Sequence, residues 1–253
     1  MRKLLIGAAV LAVVAIPTVA LAQNPAPVVT GEAKITPSKA GTTKKPKAAK
    51  FSFKIVNSAA SKTTVRRLQT ELPKGVKLSG NKLTACSADD FVANAGCPSA
   101  SKLGTGVSYA FIVAPTPAPD CVGTNGAAAG CLTFDTTFYV GGKNAITVAL
   151  QQRGGPAFPP LTGKISNGGR KLVIDIPPEL QQPVPGTYSA LLQLSGTFSR
   201  SKTVKGKKYS FVSTTSCPSS KKWSVKSTLF YAPNPSAPPV PSKSMTNDVK
   251  CSK

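Results

Sequence analysis

The stretch LTFDTTFYVGGKNAITVAL, residues 132–150, decides the fold class. Before the Gly141-Gly142 pair, large apolar side chains fall at alternate positions with one threonine among them, and the alternation resumes after the pair. A period of two is typical of a β-strand with one buried face, and adjacent glycines favour a tight turn between two such strands. The stretch therefore predicts a β-hairpin that lays one face on a core.

The same pattern extends outward over residues 51–231. Short alternating segments begin at Phe51 and continue as far as Tyr231, and turn residues such as Asn167-Gly168 separate them. Many short strands between Gly, Pro and Asn turns are typical of an antiparallel sandwich. The sequence therefore predicts an all-β domain, an antiparallel β-sandwich of about ten short strands.

One short helix interrupts this pattern at residues 87–95. Ser87 and Asp90 have the spacing of a capping box, and Gly96 follows the segment as a stop signal. No other segment between residues 51 and 231 carries both a helix start and a helix stop.

The six cysteines predict a disulfide framework, because an even number in an exported chain is typical of paired thiols. Of the 15 possible connectivities, proximity in the sequence favours Cys86–Cys97, Cys121–Cys131 and Cys217–Cys251. The first pair would staple the short helix, the second would brace a Pro- and Gly-rich loop, and the third would hold the C-terminal tail. Without histidine or C-x-x-C spacing, no metal site is predicted.

Residues 1–22 are predicted to be a secretory signal peptide. A basic start, an apolar run from Leu4 to Ile16 and the small-residue site Ala20-Leu21-Ala22 follow one another, which places cleavage before Gln23. An uncleaved membrane anchor is the alternative, and Pro17 weakens it. We therefore expect a secreted or extracellular protein, free or associated with the cell wall, without a transmembrane segment after cleavage.

Two polar segments flank the predicted β-sandwich domain. Residues 23–50 form a basic lead-in, with Val28 to Ile35 as a candidate edge strand. Residues 232–253 form a Pro-rich C-terminal tail that Cys251 would tie back to the domain.

The charge is strongly one-sided: 32 basic residues face 9 acidic ones, for a formal net charge of +23. Lysine dominates the basic set, and its compact charge attracts polyanions without the bidentate recognition that arginine provides. We therefore expect weak contacts with anionic envelope polymers or acidic polysaccharide, and no sequence-specific binding of nucleic acid. The candidate polyanion-contact residues are Lys44, Lys45, Lys47, Lys50, Lys205, Lys207, Lys208, Lys221 and Lys222.

The alternative left open is that the charge serves only to keep the surface soluble.

A spaced motif runs from Leu72-Pro73-Lys74-Gly75 through Cys86-Ser87 to Cys97-Pro98 and Gly104-Thr105. This L-P-x-G … C-S … C-P-x-x-S-x-x-G-T arrangement resembles a group of exported β-rich proteins of soil actinobacteria, over residues 65–231. The resemblance implies an exported β-rich protein, and it supplies neither an activity nor site residues.

These observations predict a non-enzymatic protein without a cofactor that acts at or near the cell envelope. The absence of histidine excludes catalytic pairs built on that residue. Two other classes stay open: a carbohydrate-binding module with Trp223, Tyr231 or Tyr139 as an exposed sugar platform, and a glycoside hydrolase. The hydrolase would use Asp135 and Asp175, which lie in predicted strands opposite the apolar face.

Overall fold

The computed structural model describes residues 27–57, 63–113, 121–123, 130–183, 187–233 and 239–253. Within these ranges the regular structure is almost entirely strand, with two short α-helices, α1 (Ala88–Ala93) and α2 (Pro178–Gln181). The strands are β1 (Val29–Thr36), β2 (Lys47–Asn57), β3 (Val65–Glu71), β4 (Val76–Leu78), β5 (Lys102–Val113), β6 (Cys131–Gly142), β7 (Ala145–Gln152), β8 (Ala157–Ser166), β9 (Lys171–Asp175), β10 (Tyr188–Phe198), β11 (Ser201–Val204), β12 (Lys207–Ser210), β13 (Val212–Thr214), β14 (Lys222–Tyr231) and β15 (Lys243–Lys250).

Thirteen of these strands hydrogen-bond into one sheet in the order β15-β14-β3-β9-β8-β7-β6-β5-β10-β2-β13-β4, with β1 paired to β2 beside this path. The remaining strands, β11 and β12, form a separate two-stranded hairpin. The all-β, antiparallel prediction is confirmed. The two separate sheets of a sandwich are not evident among the described strands, because hydrogen bonds join thirteen of them along one path.

The sheet curves around one main core. A single cluster of buried side chains includes Trp223 and Val225 of β14, near one end of the path, and Val76 and Leu78 of β4, at its other end. Alternation in a sequence identifies the buried face of each strand, but it carries no information about which neighbours share hydrogen bonds. A curved single sheet and a sandwich therefore leave the same pattern.

The hairpin predicted from residues 132–150 is confirmed. Its strands β6 and β7 pair with Val140 opposite Ile146, and both side chains are fully buried. The short helix is also confirmed as α1, whereas the second helix, α2, was not predicted. The Ser87 hydroxyl accepts a hydrogen bond from the Asp90 amide at 3.1 Å, and the Asp90 carboxylate accepts one from the Ser87 amide at 2.9 Å.

The three predicted disulfides, Cys86–Cys97, Cys121–Cys131 and Cys217–Cys251, are all present. The first closes the segment that contains α1, and its Cys86 carbonyl oxygen accepts a hydrogen bond of 2.8 Å from the buried Thr147 hydroxyl. The helix is therefore anchored to β7 as well as stapled at both ends.

Both flanking segments contribute strands. The candidate edge strand in residues 23–50 is present as β1, which pairs with β2 over its full length. The Pro-rich tail predicted at residues 232–253 is tied back by Cys251, and it also contains a strand that was not predicted, because residues 243–250 form β15 and pair with β14. Polar side chains fill most of β15, so its sequence lacks the apolar alternation that reveals a strand. The predicted signal peptide, residues 1–22, lies outside the described residues.

Strands β10 and β13 both pair with β2, and residues 199–211 separate them in the sequence. Phe198, the last residue of β10, lies opposite Phe51, and Val212, the first of β13, lies opposite Ala49. At the base of the interruption the Phe211 amide donates a hydrogen bond to the Arg200 carbonyl oxygen. Residues 199–211, which contain the β11–β12 hairpin, therefore leave the sheet and return to it beside the same strand.

Candidate polyanion-binding surface

The antiparallel order gives the sheet two ends, and one of them is rich in lysine. Thr36 at the end of β1 and Phe198 at the end of β10 lie beside the first half of β2, opposite Lys50 and Phe51. Similarly, Lys222 at the start of β14 lies opposite Lys250 at the end of β15. We call this the basic end: the end of the sheet at which β2, β5, β7, β9 and β14 begin.

All nine candidate contact lysines are exposed and lie at the basic end. Lys44 and Lys45 occupy the turn before β2, which a hydrogen bond from the Lys45 amide to the Thr42 hydroxyl closes. Lys47 and Lys50 lie in the first half of β2. The other five lie in two segments: Lys205, Lys207 and Lys208 in the β11–β12 hairpin, and Lys221 and Lys222 at the start of β14.

Acidic partners for these lysines are scarce among the described residues. Of the nine, only Lys222 has an ion pair there, at 3.4 Å from the Asp248 carboxylate. Hydrogen bonds from the Ser224 hydroxyl and from Lys222 lower the pKa of Asp248, so this carboxylate stays charged and neutralises part of the local charge. The Lys207 ammonium lies 5.7 Å from the centre of the Tyr209 ring, close enough for a cation–π contact.

A cleft of about 580 Å³ opens at the basic end between β4, β13 and the turn before β2. Three basic side chains line it, and none of them is among the nine candidate lysines. The lining residues are Thr43, Pro46, Lys74, Gly75, Lys77, Arg170, Ser213, Thr215 and Ser216. No acidic side chain is among them. The cleft therefore combines positive charge with several hydroxyl groups.

Four distant parts of the sequence meet in this cleft, one of them the turn before β2, which explains why the residues were missed. Lys74 follows β3, Arg170 stands between β8 and β9, and Ser213 lies in β13. The Leu72 amide donates a hydrogen bond to the Arg170 carbonyl oxygen at 2.7 Å, which holds the first two segments together. The lysine in the Leu72-Pro73-Lys74-Gly75 turn was the one available signal, and it resembles many other lysines of this chain.

A second cleft of about 590 Å³ lies beside α1, between the Cys86–Cys97 disulfide and the end of the helix. Its one charged lining residue is Asp90, whose carboxylate accepts hydrogen bonds from the Ser87 amide and hydroxyl. These bonds lower the pKa of Asp90. The cleft therefore presents a negatively charged carboxylate whose hydrogen bonds are made within the capping box of α1.

The aromatic residues considered for a sugar platform do not form one. Trp223 is fully buried, and Tyr231 is 6% exposed. Burial raises the pKa of Tyr231 to about 12, and its hydroxyl donates a hydrogen bond to Asn57. Tyr139 is half-buried and packs against Phe91, with 6.1 Å between the ring centres.

The two aspartates considered for glycoside hydrolysis each bind their own arginine. Arg153 contacts the Asp135 carboxylate at 2.7 Å and lowers its pKa through a hydrogen bond, while Arg67 contacts Asp175 at 2.5 Å. Strands β6 and β9, which carry the aspartates, are separated by β7 and β8. Three strand spacings amount to about 14 Å, beyond the reach of a paired-carboxylate mechanism.

No family model, curated protein or solved structure matches this chain. The resemblance to exported actinobacterial proteins therefore stays a prediction. In the described ranges, no group of His, Cys, Asp and Glu side chains has the geometry of a metal site. No helix there is long and apolar enough to cross a membrane.

Proposed function

We propose that this is an exported, non-enzymatic protein that acts at or near the cell envelope through contacts with anionic polymers. One observation carries the proposal: nine exposed lysines, selected from the sequence without knowledge of the fold, share one end of the sheet. Charge that served solubility alone would not need to be concentrated at one end. A concentrated set offers a polymer several weak contacts at once.

Export is supported by two features. The N-terminal sequence has the charged, apolar and small-residue regions of a signal peptide. Three disulfides are typical of proteins that fold in an oxidising compartment.

The test is retention of the purified protein on envelope fractions, and on an immobilised polyphosphate, over a range of salt concentrations. Contacts between lysines and a polyanion release counterions, so the affinity should fall steeply and linearly on logarithmic axes. The variant K207Q/K208Q should weaken binding and reduce the salt slope by about two.

The matched control is K54Q/K226Q, which removes the same charge from exposed positions in the middle of β2 and β14. We expect it to change binding little. Equal losses in both variants would show that net charge alone drives binding, and retention that is insensitive to salt would refute the proposal.

A further inference from the structure

We propose that the cleft lined by Lys74, Lys77 and Arg170 binds a phosphodiester group, and that the preferred polymer is a phosphodiester chain. This inference rests on the proposed function and names the ligand class. The cleft is distinct from the nine lysines selected from the sequence, and it lies at the same end of the sheet.

The donors of the cleft match an anion with several acceptor oxygens. Lys74 and Lys77 are exposed, and neither ammonium group makes a hydrogen bond or an ion pair within the described parts of the chain. Arg170 adds a planar guanidinium, of which Nη2 donates a hydrogen bond to Asn167 at 3.1 Å and the remaining N–H groups can bind phosphate oxygens. The lining hydroxyls of Thr43, Ser213 and Ser216 are further donors, whereas the Thr215 hydroxyl donates to the Gly75 carbonyl oxygen at 3.4 Å.

The inner wall of the cleft is fixed before any ligand arrives. The Ser216 carbonyl oxygen accepts a hydrogen bond of 3.0 Å from the indole nitrogen of the buried Trp223. The next residue, Cys217, is held by its disulfide to Cys251. The Thr215 amide donates to the Gly75 carbonyl oxygen at 2.7 Å, which joins this wall to the facing turn.

Gly75 permits this close approach. Its φ of +95° is a conformation that favours glycine, and a Cβ at this position would collide with the Ser216 carbonyl oxygen. A fixed wall reduces the entropy that a ligand must lose on binding. The cleft is thus better prepared to bind an anion than lysines on an exposed hairpin.

The number of donors favours a phosphodiester over a carboxylate. A carboxylate has two oxygens, whereas a phosphodiester adds bridging oxygens to its two charged ones, and the cleft presents three cations together with three hydroxyl donors. A membrane headgroup offers the same chemistry. However, the exposed large apolar residues of the described chain, Val28, Val92 and Val122, do not line the cleft, so nothing beside it would enter a bilayer.

Trp223 is a spectroscopic probe of the cleft. It is the single tryptophan of the sequence, so its indole N–H gives one resonance in a ¹⁵N–¹H spectrum, and that group binds the cleft wall at Ser216. We would titrate the protein with a short glycerol-phosphate oligomer. We expect a saturable shift of this resonance, and a much weaker response to a galacturonate oligomer of equal charge.

Two variants with the same loss of charge locate the binding. K74Q/K77Q should abolish the shift and weaken affinity for the glycerol-phosphate oligomer by about tenfold for each lost charged hydrogen bond. K207Q/K208Q, on the hairpin, should keep the shift.

The other outcomes separate the two proposals. Polymer binding without a shift at Trp223, or equal losses in both variants, would overturn the cleft and leave the proposed function intact. An equal response to galacturonate would overturn the choice of phosphodiester. Binding only to phosphatidylglycerol vesicles would overturn the choice of a polymer, and no binding to any polyanion would overturn the proposed function itself.

Discussion

The Cys217–Cys251 disulfide should be the largest disulfide contribution to stability in this protein. It fastens the end of β15, a strand without a single buried residue, to the segment before β14. Both cysteines lie in the main core, at 6% and 7% exposure. The perturbation is C217A/C251A, compared with C86A/C97A, which removes a bridge over a shorter segment.

The magnitude follows from the lengths of the closed segments. A separation of 34 residues restricts the unfolded chain by about 4 kcal/mol in the chain-entropy model. The separation of 11 residues in Cys86–Cys97 corresponds to about 3 kcal/mol. We therefore expect C217A/C251A to lower the free energy of unfolding by about 1 kcal/mol more than C86A/C97A does.

Urea unfolding of the three proteins measures this difference, and amide hydrogen exchange locates it. Exchange should accelerate first in β15, because β14 and the disulfide are its principal attachments. If C86A/C97A proved the more destabilised variant, or if β15 kept its protection in C217A/C251A, the reasoning from segment length and burial would be refuted.

Three further predictions concern the folded domain. T147V should lower the free energy of unfolding by about 1–3 kcal/mol, since it leaves the Cys86 carbonyl oxygen without its 2.8 Å donor; T147S should retain most of the stability, and an equal loss in both would contradict the reasoning. G106A should lower the free energy of unfolding by about 3 kcal/mol, because a Cβ at this position would collide with the Ser195 carbonyl oxygen of the neighbouring strand. An unchanged midpoint of urea unfolding would argue against this contact. Hydrogen bonds lower the pKa of Asp90 below its usual 3.8, so the ionised carboxylate stabilises the folded state fully above that value, and this stabilisation is lost as the pH falls through the lowered pKa. The free energy of unfolding, measured in urea, should therefore fall more between pH 5 and pH 3 for the native chain than for D90N.

The sequence predicts the local structure of this protein well wherever one face of an element is apolar or a cap is present. The 132–150 hairpin follows from alternation about a glycine pair, and α1 follows from Ser87 and Asp90. The disulfide pairing could be predicted from proximity in the sequence, because cysteines that are neighbours in the sequence are also the ones that are bonded in the folded chain. Only β15 was missed in the tail, where the alternation is between polar residues.

The site is only partly predictable, because its parts are joined by tertiary structure. Runs of lysine mark the turn before β2 and the hairpin, but nothing in the sequence places them at the same end of a sheet. The strand registers do this. Lys77 and Arg170 are far apart in the chain. They line the same cleft because β4, which pairs with β13, also lies beside the turn between β8 and β9. Trp223, an obvious candidate for a sugar platform, is instead in the core.

The interruption between β10 and β13 has a consequence for how this protein can diversify. Because β10 and β13 each pair with β2 and Phe211 stays in the core, the β11–β12 hairpin between them can lengthen, shorten or change its charge without moving any strand of the large sheet. Loops of this kind tolerate insertion at small thermodynamic cost. The scaffold thus has a natural grafting point beside its basic end, where a different hairpin would present other side chains on an unchanged framework.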